Sequence, residues 1–252
     1  MSRFFILILS IFLFVSCSSH RFICETITEN IPIVDKPGSV DSMVQSVLKP
    51  YRDSIEHDLS RFVTSGKTSM VKGKPESKLT NLMADIILNY AEEYCKSNNL
   101  GFKPDASYVN YGGIRASLPE GKITVGHIFE LMPFENEIVL VKISGDSFRQ
   151  MADRIAGRGG EGVSGTTIGI RGNKAGTINV GGKSLENEAS YWLATNDYVA
   201  SGGDQMSMFA GNSDIIYTHK KIRDVTIELL RKRYEKEGQL DVKEDGRIYH
   251  EQ

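Results

Sequence analysis

Two glycine pairs constrain this chain more than any other feature of it. Tyr108 to Arg115 reads YVNYGGIR, and Thr195 to Asp204 reads TNDYVASGGD. Each stretch enters as a β-like run, turns on Gly-Gly and delivers one charged side chain on the far side. Gly112-Gly113 and Gly202-Gly203 let the backbone take positive φ or approach a ligand closely, which side-chain-bearing residues resist. Arg115 is a planar donor fork suited to phosphate or carboxylate. Asp204 is an acceptor suited to hydroxyls. Taken singly, each segment also reads as an ordinary turn carrying a surface ion.

The flanking sequence predicts a mixed α/β domain. Val40, Met43, Val44, Val47, Leu48, Tyr51, Ile55, Leu59 and Phe62 fall near helical spacing, with Pro50 expected to kink or interrupt the helix. Leu79, Leu82, Met83, Ile86, Ile87 and Tyr90 form a cleaner amphipathic stripe. Residues 108–111 read as a strand, 125–132 as a short helix and 137–144 as a buried strand. A helix over 146–156 turns Phe148, Met151, Ala152 and Ile155 inward. Glycine is dense from Gly157 to Gly182, with short β segments at 167–171 and 177–180 and a hairpin signal at Gly181-Gly182. Residues 190–195 read as another strand. A last helix opens after Thr218 and stops at Gly238, with Ile222, Val225, Leu229 and Tyr234 on one face.

The N-terminus reads as a targeting segment. Arg3 precedes a short apolar core, FFILILSIFLFV, too short to span a bilayer, which needs roughly 20 residues. Phe14-Val15-Ser16-Cys17 looks like a bacterial lipobox, with Phe14 where Leu is usual. Cys17 would then carry the lipid and tether the chain outside the cytoplasm, in the periplasm or cell envelope. The alternative is a plain secretory signal with a cysteine near the cut. The expected divisions are a signal peptide over 1–17, a tether over 18–38 and one domain over 39–252. Two states are open to Cys24 and Cys95: a disulfide in an oxidising compartment, or a free buried thiol at Cys95. A net charge of −2 argues against a nucleic-acid polymer as partner.

In order along the chain come ESKLTNLMADII, NYGGIR, GKITVGHIFELMPFEN, NEIVLVKISGDSF and TNDYVASGGD. Together these resemble the C-terminal domain of the 5'-nucleotidase family, which includes UDP-sugar hydrolases and cyclic-nucleotide phosphodiesterases. The resemblance runs from about Ser39 to the last helix. It implies helices packed on a mixed β-sheet, a nucleotide or nucleoside substrate, and site roles. Asn110 and Arg115 match the residues that hold phosphate. Phe134 and Tyr198 match an aromatic clamp on the base, Tyr198 standing where Phe is frequent. Asp204 matches the acceptor for ribose hydroxyls, and Asn136 stands where it could touch the base edge. The family often carries another phosphate-contacting arginine before the ESKLTN helix. This chain has none between Arg61 and Arg115, so Lys72 or Lys74 is the available point charge.

The same resemblance places the hydrolytic chemistry elsewhere. Full-length relatives use two metals in an N-terminal domain, whose counterpart is not recognisable in this sequence. His20, His57, His127, His219 and His250 stand in no H-x-H, D-x-H or N-H-E arrangement, and there is no P-loop or serine nucleophile elbow. No catalytic residue, cofactor or metal ligand is therefore assigned to this chain. Divalent metals are expected in a separate metallophosphatase chain, this chain being the substrate-binding half of a split secreted 5'-nucleotidase. The competing expectation is a non-catalytic nucleotide- or nucleoside-binding lipoprotein.

Overall fold

A computed structural model describes Ser42 to Glu251; the signal segment, Cys17, Cys24 and the expected tether lie outside the described residues. The chain divides into two units, Met1–Val47 and Leu48–Gln252. Helix α1 (Ser42–Leu59) crosses that division, and every other described element belongs to the second unit. No helix among the described residues is long and apolar enough to cross a membrane.

The central sheet has five strands: β2 (Ala106–Val109), β4 (Glu137–Ser144), β5 (Gly162–Ser164), β9 (Ser190–Asn196) and β10 (Ile215–Lys221). Their order is β10-β4-β9-β2-β5, with β2 and β9 parallel and the other pairs antiparallel. The apolar run of β4 is covered on both faces. Ile138 and Leu140 enter one core and Val139, Val141 and Ile143 the other. Side chains alternate across a strand, so an unbroken apolar run requires cover on each side.

On the first face lie α2 (Lys78–Ser97), α3 (Val125–Leu131) and α6 (Ile222–Glu237), with Leu79, Leu82, Met83, Ile86 and Ile87 of the α2 stripe all buried. On the second face, α4 (Gly145–Gly157) turns Phe148, Met151, Ala152 and Ile155 inward. Beside it stands a four-stranded sheet of β6 (Thr166–Arg171), β7 (Lys174–Val180), β8 (Lys183–Ser184) and β11 (Ile248–His250), ordered β11-β6-β7-β8. Gly181 and Gly182 make the β7–β8 hairpin at φ 57° and 80°, the left-handed pair that a tight hairpin requires. A small ribbon pairs β1 (Phe62–Gly66) with β3 (Gly121–Thr124). Cys95 is a free, buried thiol whose pKa is pushed up by burial and then by Glu92.

Two expectations need correction. Pro50 does not interrupt α1, which runs through it with no buried residue. On so exposed a helix, the carbonyl that loses its backbone donor is open to solvent, which lowers the cost of the missing bond. The segment after Thr218 is not yet helical: Ile215–Lys221 is an edge strand, and the helix begins at Ile222. His219 sits at φ 54° within that strand and breaks its register between Tyr217 and Lys221, which hides the strand period in the sequence.

The ESKLTN run has a structural task here. Ser77 caps α2 reciprocally with Thr80. The Glu76 carboxylate accepts from the backbone N–H groups of Gly246 (2.8 Å) and Arg247 (3.1 Å), and Asn81 Nδ2 donates to it at 3.2 Å. One turn on, Asp85 pairs with Arg247 at 2.6 Å. These polar residues of the α2 region clasp the segment that leads into β11.

Candidate functional site

Strands β2 and β9 are parallel neighbours, so they run out at the same edge of the sheet. The first glycine pair follows β2, and the second follows β9 and α5 (Asp197–Ala200). The two turns therefore face one space.

The glycines do different work in the two turns. Neither Gly112 nor Gly113 is at positive φ. A Cβ on Gly113 would stand 2.9 Å from Asn110 Oδ1, whereas one on Gly112 would meet nothing nearer than 3.8 Å. Close approach is thus needed at Gly113 alone. In the second turn Gly202 takes φ 96°, and a Cβ on Gly203 would lie 2.6 Å from the Tyr198 ring.

Asn110, Gly112, Gly113, Arg115, Phe134, Asn136, Tyr198 and Asp204 line one cavity of about 370 Å³. The six residues singled out in the sequence are thereby brought together. Asn110 is 4% exposed, with its amide orientation set by Asn196, whose Nδ2 donates to Asn110 Oδ1 at 3.0 Å. Asn110 Nδ2 in turn donates to Asp204 Oδ2 at 2.5 Å. Phe134 and Tyr198 are 49% and 46% exposed, large aromatic surface left uncovered at the cavity. Asn136 is half-buried, its carbonyl accepting from Ile222 N–H at 3.0 Å.

Arg115 is exposed, its guanidinium carbon 6.0 Å from the Phe134 ring centre, with one long contact of 3.4 Å to the Gly112 carbonyl. Among the described residues no carboxylate pairs with it, so its fork is free for an anion. Lys72 stands close by. Its ammonium donates to the carbonyls of Tyr111 (3.2 Å) and Ile114 (2.7 Å), bracketing the first glycine pair. Burial, then Arg115, then Lys74 lower its pKa. Lys72 is therefore a brace with one remaining donor, in a corner where an anion would relieve the mutual repulsion. Lys74 instead donates to the Arg158 carbonyl.

The loop carrying Phe134 is held by charge. Glu135 bonds Lys221 and, at 2.5 Å, the buried Arg223 at the start of α6. Lys221, then Arg223, lower the Glu135 pKa from 4.5 to about 2. Phe129 lies over the Arg223 guanidinium at 4.1 Å.

Sequence reasoning missed this anchoring pair and also missed Glu161. The Glu161 carboxylate is 2% exposed and accepts from Arg158 Nη1 (2.8 Å), Tyr108 Oη (2.5 Å) and Tyr111 N–H (3.0 Å). The available signal was two opposite charges set among glycines in RGGEG. Tyr108 is held well above the usual tyrosine range by burial and then by Glu161.

Two larger cavities lie elsewhere. One, of about 570 Å³, holds Arg247, already bonded to Asp85 and Asp245. The other, of about 490 Å³, is lined by Arg154, Lys174, Gln150 and neighbours and carries no aromatic face. Only the smallest of the three combines exposed rings, an uncommitted guanidinium and a carboxylate. It therefore suits a flat, hydroxylated, anionic ligand. Among the described residues no group of three or more His, Cys, Asp or Glu side chains is placed to hold a metal.

The fold has known counterparts. A 5'-nucleotidase precursor of Thermus thermophilus superposes with a TM-score of 0.68 at 23% identity, over 82% of this chain and 43% of that one. The NAD nucleotidase of Haemophilus influenzae gives a TM-score of 0.62 at 17% identity, over 83% and 41%. By sequence, a 5'-nucleotidase of Vibrio vulnificus is 24% identical over 209 residues, 80% of this chain and 36% of the relative. A trifunctional nucleotide phosphoesterase protein of Bacillus subtilis is 28% identical over 160 residues, 57% of this chain and 10% of the relative. The chain thus spans little more than a third of the length of these two sequence relatives at most. Residues 62–211, more than half of the chain, match the family model described as 5'-nucleotidase, C-terminal domain, and the chain belongs to that family.

Proposed function

We propose that this chain is the substrate-binding half of a split secreted 5'-nucleotidase. In this reading Asn110 and Arg115 hold the phosphate, Phe134 and Tyr198 stack on the base, Asp204 accepts from the ribose hydroxyls and Asn136 meets the base edge. The observation that carries it is the convergence of these six residues on one cavity whose two rings are uncovered. The names of the relatives supply the ligand class, a nucleotide. In this reading the divalent ions that activate water belong to a separate metallophosphatase chain.

An Arg–phosphate bond contributes about 1.5–3 kcal/mol and stacking about 1–3 kcal/mol per face. One such bond and two such faces sum to about 3.5–9 kcal/mol before ordering costs, which sets affinity in the millimolar to micromolar range. The chain alone holds and orients its ligand weakly; hydrolysis requires the partner. Lipid attached at Cys17, with residues 18–38 as tether and 39–252 as the folded domain, keeps the pair at the membrane outside the cytoplasm.

The test is phosphate release from AMP and UMP with Mn or Zn present, for the purified chain alone and mixed with a secreted metallophosphatase. Activity confined to the mixture, and lost with Phe134→Ala, supports the split enzyme. Nucleotide binding without hydrolysis in either case transfers the reading to a binding lipoprotein. Hydrolysis by the chain alone overturns it.

A further inference from the structure

We propose that Glu161 and Arg158 form a positioning clasp that sets the spacing between the two glycine turns and fixes the orientation of Asp204. The inference rests on the reading above, that Asp204 receives the ribose hydroxyls, and adds how that carboxylate is held.

The connection is continuous. On one side Glu161 Oε2 accepts from Tyr111 N–H at 3.0 Å, inside the first turn, and from Tyr108 Oη at 2.5 Å, on β2. Its other oxygen accepts from Arg158 Nη1 at 2.8 Å. Arg158 Nη2 then donates to the Asp204 carbonyl, inside the second turn. Neither Glu161 nor Arg158 lines the cavity holding Phe134 and Tyr198, so any effect on the ligand passes through other residues.

Asp204 needs such support. It sits at φ 51° and is followed by Gln205 at φ 60°, two successive non-glycine residues in the left-handed region. Three contacts hold it: Tyr198 Oη on its N–H, Arg158 on its carbonyl and Asn110 on its carboxylate. Only the Arg158 contact reaches back to the first turn through a group away from the cavity.

The backbone is shaped to deliver the buried carboxylate. Gly160 takes φ 114°, and a Cβ there would lie 1.9 Å from the Pro75 carbonyl oxygen. A Cβ on Gly162 would lie 2.4 Å from Val109 Cγ1. Side-chain-free residues on both sides let the segment carrying Glu161 run close against Pro75 and β2. All three of its partners donate, which satisfies an acceptor-only carboxylate out of water. Tyr108, its pKa raised by burial and then by Glu161, is one of these donors.

The test uses the full chain carrying Arg158→Lys, which keeps a charge beside Glu161 but cannot bond it and the Asp204 carbonyl with one planar fork. Glu161→Gln is the second variant; its amide turns a donor toward Arg158 or Tyr111. Two readouts are taken on protein whose unfolding transition remains cooperative. The first, without ligand, is amide hydrogen exchange at Asp204 and Tyr111, expected to quicken at least 10-fold while the α2 amides do not change. The second is the ratio of affinities for AMP and 2',3'-dideoxy-AMP, expected to fall toward one in Arg158→Lys because only a fixed Asp204 distinguishes them. Unchanged exchange at Asp204 in either folded variant overturns the clasp. So does an equal loss of both ligands with the ratio preserved, which marks a purely structural ion pair. If the unaltered chain binds neither ligand, the nucleotide reading fails, and the exchange rates still decide the clasp.

Discussion

The N–H of Asp204 donates to the hydroxyl of Tyr198 at 3.2 Å, tying the ring and the carboxylate six residues later into one closed turn. A phenylalanine at this position would stack equally well but leave that N–H without its partner. Tyr198→Phe should therefore keep base stacking and loosen Asp204. One hydrogen bond is worth about 0.5–1.5 kcal/mol, so AMP affinity should fall about 2- to 10-fold by calorimetry. Tyr198→Ala removes a stacking face as well and should lose more. Equal AMP affinities for the parent chain and Tyr198→Phe would show that the hydroxyl does not hold the turn.

Adjacent glycines give a sharper contrast. Gly113→Ala forces a Cβ against Asn110 Oδ1, while Gly112→Ala meets only ordinary contacts. The first should destabilise by about 1–3 kcal/mol, the usual range for overpacking, and lower Tm by several degrees. The second should leave Tm within about a degree of the parent. Thermal unfolding of both variants side by side checks the difference, and a reversed order would refute the assignment of close approach to Gly113.

Acid should release the Phe134 loop late. The Glu135 carboxyl titrates at about 2 when folded and at the ordinary 4.5 when free of Lys221 and Arg223. A lowered folded pKa contributes stability that is present above 4.5 and is lost as pH falls from there through about 2. A carbon-detected NMR titration should find Glu135 near 2 in the parent chain and shifted up toward the usual carboxylate range in Lys221→Met. A normal pKa in the parent would mean that the loop is not anchored by this pair.

The α2 clasp on the C-terminal segment should matter for stability and not for ligand. Arg247 is bonded to Asp85, Asp245 and the Val163 carbonyl and lines a different cavity from the candidate nucleotide site. Arg247→Met should cost about 1.5–3 kcal/mol, the value of a hydrogen bond to a charged group. Denaturant unfolding should register this loss while AMP affinity stays constant. A parallel fall in affinity would connect the two regions.

Much of this architecture was legible in the residues. The β4 run EIVLVKIS has no polar interruption between Glu137 and Lys142, which demands burial on both faces, and the α2 stripe keeps helical spacing over three turns. The six candidate ligand-facing residues could be singled out because each stands at a fixed offset from a glycine pair or a family motif. What stayed hidden depends on partners distant in sequence. Glu161 reads as one more surface acid until Tyr108 and Tyr111, about 50 residues earlier, are folded over it. Arg223 reads as a solvated first-turn charge until Glu135 and Phe129 enclose it. The β10 strand was obscured because one left-handed residue, His219, disrupts its alternation. Local period is written in the sequence, but long-range charge pairing is not.

Two walls of the cavity leave neighbouring parallel strands at one edge, so the sheet ladder sets them side by side. The third wall, residues 133–136, belongs to neither strand end and is moored to the start of α6 through Glu135 and the Asn136 carbonyl. Divergence within such a scaffold should therefore be uneven. On the nucleotide reading proposed above, a shift in which base is accepted requires remodelling of that short loop alone, leaving the proposed ribose and phosphate contacts in register. A shift in the sugar or phosphate would have to alter both strand ends together.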